Sequence, residues 1–305
     1  MPVEELSGIL NINKAAGLSS HDVVARLRRI IAQRRVGHAG TLDPLAAGVL
    51  LLCVGQATRV AEYLMSSEKT YEARIRLGIE TDTYDAEGQI VREVANLSAT
   101  RKQVQHELGA MVGTIEQTPP MYSAIKKEGA PLYRLARRGQ TVPRQPRSVQ
   151  IHELQLLDWA PPDLAIRLRC SKGTYVRSLA HDLGQRLGCG AHVLDLTRTA
   201  SGQFLIDDAI TIEAFEQLAA SGRAASVLQP LDAALQSFPA ATVDQDTARA
   251  IALGQSVHLT NGTDAAMLRA YDQCGQLLAL LRQRGNGFWQ PHKVFIQPVS
   301  HENRP

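Results

Sequence analysis

A glycine-rich block between residues 37 and 48, GHAGTLDPLAAG, constrains this chain more than any other stretch. It contains one carboxylate, Asp43, and three glycines that allow the backbone to turn tightly and approach a ligand closely. Pro44 fixes its own φ and biases Asp43 toward an extended conformation. An isolated Asp-Pro pair usually only opens a turn. Here the accompanying histidine, the glycines and the apolar residues that follow together indicate a rigid loop that holds a single acidic side chain in place.

The composition is typical of a globular protein with reduced cysteines. With 305 residues, of which 44% are hydrophobic, the chain is long enough for two domains with proper cores. The four cysteines are widely separated and form no C-x-x-C pair, so neither a zinc ribbon nor a disulfide framework is indicated. No apolar run approaches the roughly 18 to 20 residues that cross a bilayer. The acidic start, Met1 to Ser7, is unlike a signal peptide. We therefore expect a cytoplasmic protein without membrane association.

Positive charge is concentrated in one segment of the sequence. Between Lys126 and Arg147 there are seven basic residues and one acid, Glu128, so this segment carries +6 and the rest of the chain sums to −3. A cationic element on a near-neutral body indicates a polyanionic partner. A solvated surface helix is the alternative that charge alone leaves open.

Apolar periodicity places strands and helices in mixed order. Gly8 to Asn13 and Thr70 to Leu77 have strand patterns, while Thr174 to Leu187 and the residues after Ser19 have helical spacing. Because the order is not a strict alternation of strand and helix, it predicts an α+β fold with a mixed, mostly antiparallel central sheet and flanking helices. Further predicted elements are a helix starting at Ser98, a short basic helix Leu132 to Arg138 and a strand Val294 to Ile296.

The pattern changes near Phe238, and this change predicts a domain boundary. Residues 1–238 form one predicted domain, with a basic insertion at about 124–148, and residues 239–305 form a small β-rich domain.

Familiar catalytic motifs are missing from the sequence. It contains neither a P-loop nor a dinucleotide-binding pattern, and neither H-E-x-x-H nor a G-x-S-x-G elbow. The nine histidines do not cluster with acids at metal-ligand spacing, so no metal site is expected. Among these chemistries nothing competes with Asp43 as the candidate catalytic group.

Two other blocks contain side chains that could act with Asp43. Tyr71 opens a half-buried strand and is either a core aromatic with its hydroxyl at the rim or a ring that stacks on a nucleobase. Arg177 lies on the first turn of a predicted helix, where the helix dipole disfavours an exposed arginine. A surface arginine is the simpler alternative. A buried Arg177 paired with Asp43 would keep the carboxylate ionised, because a nearby cation lowers its pKa.

Four blocks, GHAGTLDPLAAGVL, KTY, CSKGTYVRSLAHDLG and LTRTASGQF, together resemble the ordered motifs of the pseudouridine synthases, most closely those of the TruB type. The resemblance extends from about Gly8 to Phe204. It implies the central sheet of that family and a carboxy-terminal PUA-like RNA-binding domain. It also implies that the T-loop uridine of tRNA, at position 55, is isomerised to pseudouridine without a cofactor. The glycosidic bond breaks, the base rotates, and the base is rejoined through C5.

The same resemblance implies roles for individual residues. Asp43 matches the catalytic aspartate, and its point of attack, ribose C1′ or base C6, stays open. Tyr71 matches the tyrosine that packs on the target base and helps to remove the C5 proton, and Arg177 matches the arginine that pairs with the aspartate. Among the implied substrate-binding residues, His38 would fill the space of the extruded base, Asp85 would join the ion-pair network, and Leu196 would line the uracil pocket. The others are Tyr175, Lys14 and Lys126.

The implied partner is the T-arm of tRNA, bound without an obligate protein partner by a monomer. RNA helices are recognised mainly through backbone and shape, which suits arginines that make no base-reading pairs. The expected backbone contacts are Arg134, Arg137, Arg138, Arg144 and Arg147. One alternative is a guide-dependent rRNA pseudouridine synthase, which would leave substrate binding to its partners. The other is a non-catalytic RNA-binding protein or tRNA chaperone, which would not need Asp43, Tyr71 and Arg177.

Overall fold

The structure is a computed structural model that describes residues 5–123, 125–127, 129–136, 138–140, 142–259 and 265–296. For residues 126, 127, 130, 131 and 133 the description covers the backbone. The chain divides into two compact units. In the described chain, the larger unit contains residues 11–52 and 64–226, and the smaller unit contains residues 5–10, 53–63 and 227–296.

The regular elements follow one another in mixed order. The strands are β1 (Gly8–Lys14), β2 (Val36–His38), β3 (Ala47–Val54), β4 (Lys69–Leu77), β5 (Ile79–Thr81), β6 (Ile90–Glu93), β7 (Gly113–Gln117), β8 (Lys126–Lys127), β9 (Ala130–Pro131), β10 (Arg147–Ala160), β11 (Asp163–Cys170), β12 (Ala191–Ser201), β13 (Phe204–Leu205), β14 (Ala240–Thr242), β15 (Val257–His258), β16 (Met267–Tyr271), β17 (Leu277–Gly285) and β18 (Phe288–Val294). The helices are α1 (Ser20–Ile30), α2 (Ala61–Ser66), α3 (Arg101–Ala110), α4 (Leu132–Ala136), α5 (Val176–Arg186), α6 (Ile212–Ala220) and α7 (Gln245–Ala252).

A mixed sheet organises the larger unit. Among the described strands its order is β1-β3-β12-β4-β11-β10-β7, with β13 paired to β12 and β2 paired to β3. β12 is parallel to β3 and antiparallel to β4, and the strands from β4 through β11 and β10 to β7 are antiparallel. The expected α+β class with a mixed, mostly antiparallel sheet is confirmed. β12 lies between β3 and β4, so a distant part of the sequence is placed between two strands that are close to each other in the chain.

Local sequence explains the elements that carry this sheet. α1 begins after Ser19, which forms a capping box with Asp22, and the helix buries Val23, Val24 and Leu27. β3 is a nearly continuous apolar run and is buried from its second residue onward, as expected for a strand covered on both faces.

The ends of three elements differ from the sequence-based expectation. α3 begins after Thr100, whose side chain forms a capping box with Gln103, rather than at Ser98. α5 begins at Val176, because the hydroxyl of Thr174 donates to the carbonyl of Ser171 in the preceding turn. The last strand is Phe288–Val294, not Val294 to Ile296.

The smaller unit has its own five-stranded sheet, in the order β14-β16-β17-β18-β15 among the described strands. Its core packs around the fully buried Trp289, with Ile251 from α7 and Leu281 from β17. The expected β-rich carboxy-terminal part is therefore present. The exact domain boundary at residue 238 and the PUA-like type stay predictions.

The basic segment forms a small structure within the larger unit. β8 and β9 pair as a two-stranded ribbon, and α4 follows directly as a single short helix. The predicted helix Leu132 to Arg138 is thus shorter than expected, and it ends at Ala136.

Candidate active site

The loop that carries Asp43 connects β2 and β3, and two glycines of this block, Gly40 and Gly48, occupy positions that favour glycine. Gly40 and Gly48 have φ values of 103° and 97°, in a region that side-chain-bearing residues rarely adopt. A Cβ on Gly48 would lie 2.2 Å from the carbonyl oxygen of Arg198. Gly37 does not have a positive φ, so two of the three glycines of the block carry the backbone argument.

Several hydrogen bonds fix this loop on both sides of Asp43. The amide of Leu42 donates to Oγ of Ser20 at 2.9 Å, and the same hydroxyl donates back to the Leu42 carbonyl at 3.1 Å. The carbonyl of Pro44 accepts from the amide of Gly17 at 2.8 Å and from Nζ of the buried Lys14 at 3.4 Å. The loop is therefore held by β1 and the start of α1, as a rigid loop requires.

Arg177 connects two carboxylates. Its Nη2 lies 2.8 Å from Oδ2 of Asp43, and its Nη1 lies 3.3 Å from Oδ2 of Asp85. The same guanidinium donates to the carbonyls of Thr83 at 3.2 Å and Tyr122 at 2.8 Å. The side chains of Arg177 and Asp85 are 4% and 5% exposed, whereas that of Asp43 is 34% exposed. The arrangement holds two groups in the interior and leaves the Asp43 carboxylate accessible.

Asp85 is oriented by its own loop. Its Oδ1 accepts from the hydroxyl of Thr83 at 2.5 Å and from the amide of Glu87 at 3.1 Å, and its carbonyl accepts from the hydroxyl of Thr81. Because these donors occupy Oδ1, Oδ2 remains directed at Arg177.

The electrostatic environment of Asp43 differs from the sequence-based expectation. Burial raises the pKa of Asp43 above its ordinary value, and the Asp85 carboxylate adds to this, while Arg177 and Lys14 act in the opposite direction. The guanidinium does favour the ionised form, as expected, but its influence is smaller than that of burial.

Tyr71 on β4 faces Arg198 on the neighbouring β12. Burial raises the pKa of the Tyr71 hydroxyl, and the nearby Asp43 carboxylate raises it further. Arg198 donates a hydrogen bond to this hydroxyl and thereby lowers its pKa. Arg198 is almost fully buried and also donates to the carbonyls of Val49 at 2.7 Å and Gly40 at 3.1 Å. One guanidinium thus joins the Asp43 loop to the strand that carries Tyr71.

His38 and Lys14 lie on the inner side of the same loop. Burial, with contributions from His21 and Arg198, lowers the pKa of His38, and its Nδ1 is buried without a hydrogen-bond partner among the described residues. Burial lowers the pKa of Lys14 to about 8, although Asp43 raises it. Nζ of Lys14 donates to the carbonyls of Ala15 and Leu18 at 2.9 and 2.7 Å. Together with its hydrogen bond to the Pro44 carbonyl, these contacts join the segment after β1 to the Asp43 loop.

Tyr175 and Leu196 lie on the elements that carry the two arginines of the site. Tyr175 precedes α5, which carries Arg177, and Leu196 lies on β12, which carries Arg198. Tyr175 is the residue before α5, and the buried Gln117 both accepts from its amide at 2.7 Å and donates to its carbonyl at 3.0 Å. Burial raises the pKa of Tyr175, and the Asp43 carboxylate contributes to this. Leu196 is buried on β12 two residues before Arg198, so both side chains point to the same face of the sheet.

The residues of the basic segment differ in their surroundings. Arg134, Arg138 and Arg147 are exposed, and Arg144 is half-buried and donates to the carbonyl of Pro119 at 3.0 Å. Arg137 lies outside the described residues, as does the side chain of Lys126, whose backbone belongs to β8.

Comparisons with known proteins identify the family of this chain. A model of the TruB family pseudouridylate synthase N-terminal domain matches residues 28–176, and a model of the tRNA pseudouridylate synthase B C-terminal domain matches residues 177–236. A tRNA pseudouridine synthase B from Dehalococcoides mccartyi is 42% identical over 292 residues, which cover 96% of this chain and 97% of that protein. Its namesake from Burkholderia mallei is 41% identical over 297 residues, covering 95% of this chain and 97% of that protein. The chain belongs to the TruB family of pseudouridylate synthases.

Solved structures show the same fold for this TruB-family chain. A chain of an H/ACA RNP bound to a substrate RNA containing 2'-deoxyuridine aligns with a TM-score of 0.73 at 22% identity, over 96% of this chain and 86% of that one. A chain of a Cbf5-Nop10-Gar1 complex aligns with a TM-score of 0.73 at 24% identity, over 98% and 88%. At these identities the likeness establishes the fold of the pseudouridine synthases.

The sequence motifs did not identify every residue that holds this candidate site together. Arg198, Gln117 and the carbonyls of Thr83 and Tyr122 hold the assembly together, and none was singled out from the sequence. Arg198 stands in the LTRTASGQF block that carries the resemblance, and a lone arginine among apolar strand residues was the available signal.

The described ranges of this TruB-family chain offer no cluster of metal ligands and no membrane span. No group of three or more histidine, cysteine, aspartate or glutamate side chains there could hold a metal ion. No helix in the same ranges is long and apolar enough to cross a membrane.

Proposed function

We propose that this chain converts the T-loop uridine of tRNA, at position 55, to pseudouridine, with Asp43 as the catalytic carboxylate. Membership of the TruB family and the names of its relatives support tRNA as the substrate. The observation that carries the assignment is the pairing of the accessible Asp43 with the buried Arg177 at 2.8 Å. An acid prepared in this way, in a loop with no other carboxylate, suits attack on a nucleoside.

The reaction is an isomerisation, so its atoms balance without a co-substrate. The bond between C1′ and N1 of uridine breaks, the base rotates, and a bond forms between C1′ and C5. The proton on C5 leaves, and N1 gains a proton. Asp43 serves as the nucleophile for attack at either C1′ or C6. Tyr71 packs on the base and assists removal of the C5 proton.

Substrate entry requires the uridine to leave its stack, at a cost of a few kcal/mol. His38 is the proposed occupant of the vacated space, supported by its half-buried position at the end of β2, directly before the Asp43 loop, and by its Nδ1, which has no hydrogen-bond partner among the described residues. Leu196 and Tyr175 supply the apolar and aromatic walls around the base. The exposed arginines of the basic segment, Arg134, Arg138 and Arg147, bind the T-arm backbone. In this proposal the protein acts as a cytoplasmic monomer without a protein partner.

The decisive experiment is pseudouridine mapping on a transcribed tRNA and on an isolated T-arm hairpin. Asp43→Asn removes the charge and the nucleophile with little change in volume, so we expect no measurable tritium release from C5-labelled uridine and nearly unchanged tRNA affinity. Asp207→Asn, at an exposed aspartate of the larger unit, is the matched control and keeps full activity.

Each contrary result has a distinct meaning. Turnover by Asp43→Asn removes Asp43 from the mechanism. Modification only when a guide RNA is added indicates a guide-dependent enzyme. Tight tRNA binding by the wild-type protein without any pseudouridine formation indicates a tRNA chaperone.

A further inference from the structure

The loop between β5 and β6 contains a residue in an unusual conformation beside the Arg177 network. Tyr84 has a φ of 64°, a region in which a bulky side chain is rare and which requires support from its surroundings. Its sequence neighbours are the two residues that hold Arg177: Thr83 through its carbonyl and Asp85 through its carboxylate. The conformation of Tyr84 therefore sets the separation and direction of both groups.

The ring of Tyr84 is stacked on the imidazole of His181. The ring centroids are 4.0 Å apart, and the planes are inclined by 19°. The backbone of Tyr84 is also fixed, because its amide donates to the carbonyl of Thr81 at 3.2 Å and its carbonyl accepts from the amide of Val193 on β12 at 3.0 Å. The stack thus secures a backbone conformation that the loop sequence alone would disfavour.

His181 lies on the same helix as Arg177. Both belong to α5, four residues apart, so their side chains emerge on the same face. Nδ1 of His181 lies 3.2 Å from Oε1 of Glu80, and Oε2 of Glu80 accepts from Nε2 of Gln185 at 3.0 Å. The start of the loop is therefore joined to α5 by Glu80, and its turn is joined to α5 by the ring stack.

We propose that the Tyr84–His181 stack positions Arg177 toward Asp43, with Tyr84 and His181 acting as positioning residues of the active site. The inference rests on the proposed function. The two rings act by holding the Thr83 carbonyl and the Asp85 carboxylate at fixed places on Arg177, and neither ring touches the reacting atoms. Loss of the stack releases Arg177 without removing any member of the ion-pair network.

A set of variants separates the effect of the Tyr84 ring on activity from the effect of its backbone strain. Tyr84→Phe keeps the stack, Tyr84→Ala removes the ring and keeps the strain, and Tyr84→Gly removes the ring and relieves the strain. His181→Ala removes the opposite partner. Phe288→Ala, in the aromatic pair that Phe288 forms with His258 in the smaller unit, is the matched control for loss of a ring.

The expected result is a loss of kcat at unchanged KM. We expect Tyr84→Ala, Tyr84→Gly and His181→Ala to lower kcat at least fivefold on full-length tRNA, with KM within twofold of wild type. Tyr84→Phe retains at least half of the wild-type kcat, and Phe288→Ala leaves it unchanged. The double variant Tyr84→Ala/His181→Ala is within twofold of the worse single variant, because both changes remove one interaction.

Four outcomes would overturn the proposal. These are an unchanged kcat in folded Tyr84→Ala, full activity in Tyr84→Gly, additive losses in the double variant, or a change confined to KM, which would make the rings an RNA contact. If Tyr84→Ala fails to fold, His181→Ala supplies the same comparison.

Hydrogen exchange distinguishes failure of this proposal from failure of the proposed function. The amide of Val193 should exchange faster in Tyr84→Ala than in the wild-type protein, whether or not pseudouridine is formed, and an unchanged rate counts against the stack.

Discussion

Burial disfavours the charged form of the Asp43 side chain. The carboxylate is paired with Arg177 at 2.8 Å, yet burial and the second carboxylate, Asp85, raise its pKa above the ordinary value. One guanidinium shared between two acids neutralises neither of them fully. The ionised form of an aspartate in this environment is less well solvated than a fully hydrated carboxylate, which favours its reaction as a nucleophile.

This environment leads to a prediction for the pH dependence of activity. Because only the ionised Asp43 can attack, activity is lost as the pH falls through its raised pKa. We expect the acid limb of kcat/KM, which reports the free enzyme, to lie above pH 3.8, the ordinary value for aspartate. The measurement is pseudouridine formation on a T-arm hairpin between pH 4 and 8.

Asp85→Asn gives the internal comparison for that profile. It removes the like charge that raises the pKa of Asp43, so the remaining activity should have an acid limb at lower pH. A limb at or below the ordinary value in the wild-type protein, or one that does not move in Asp85→Asn, contradicts this account of the site.

At the residue scale, the sequence predicted a pair of oppositely charged side chains but did not predict hydrogen bonds from a side chain to backbone carbonyls. The position of Arg177 on a first helical turn indicated a buried partner, and the structure places it on Asp43. Arg198 was missed because its hydrogen bonds go largely to the carbonyls of Gly40 and Val49. Every residue carries such a carbonyl, so no pattern in the sequence marks the acceptor. The left-handed Tyr84 was missed for a similar reason, since tyrosine gives no signal for a positive φ.

At the scale of elements, the two arginine-rich surfaces of the larger unit differ in how their charge is balanced. On β4 and β11, Arg167 pairs with Glu72 at 2.7 Å and Arg169 pairs with Glu68 at 2.9 Å. In the basic segment, Arg134, Arg138 and Arg147 have no carboxylate within ion-pair distance among the described residues. Unbalanced charge on an exposed element attracts a polyanion, whereas the paired sheet surface is nearly neutral.

This difference supports a prediction for tRNA binding. Arg134→Glu/Arg138→Glu should weaken binding and reduce the slope of log K against log salt by about one for each phosphate that the variant no longer neutralises. Arg167→Glu/Arg169→Glu changes the net charge of the protein by the same amount and is the matched control, with a slope close to wild type. The measurement is filter binding of labelled tRNA over a range of salt concentrations. Equal slopes for the two double variants would mean that net charge, rather than the basic segment, governs binding.

Periodicity predicted the elements better than it predicted their ends. α1, α5, β4 and the β10–β11 pair all follow from apolar spacing, because each buries a single face against the core. α3 starts three residues and α5 two residues after the predicted position. Thr100 and Thr174 make local side-chain hydrogen bonds to the backbone at these places, and such bonds compete with helix formation.

At the scale of the whole molecule, the chain path could not be read from the sequence. The change of pattern near residue 238 predicts a separate carboxy-terminal part, and β14 to β18 do form a sheet of their own. The grouping of residues 5–10 and 53–63 with that part depends on contacts between residues far apart in the chain. Such contacts leave no local pattern, and a single sequence does not reveal them.

Buried lysines and thiols should give the whole protein a characteristic dependence of stability on pH. Burial lowers the pKa of Lys14 and of Lys69 from 10.5 to about 8. Between these values the unfolded chain binds more protons than the folded protein, so the free energy of unfolding rises with pH. Burial raises the pKa of Cys53 to about 12 and of Cys170 to about 11, and these thiols act in the opposite direction above their ordinary value near 9.

We therefore expect the free energy of unfolding to rise between pH 8 and 9, where each lysine contributes about 1 kcal/mol and the thiols offset part of this sum, and to level off above pH 9 as the thiols oppose the lysines fully. The measurement is urea unfolding followed by tryptophan fluorescence at half-unit pH intervals. Lys69→Met removes one of the two lysines and should reduce the rise by more than half, because the opposing thiols remain, whatever its effect on stability at pH 7. Exposed Lys102→Met is the matched control and should leave the rise unchanged. Stability that falls between pH 8 and 9, or a rise that Lys69→Met does not alter, would mean that the lysines keep their ordinary pKa in the folded protein.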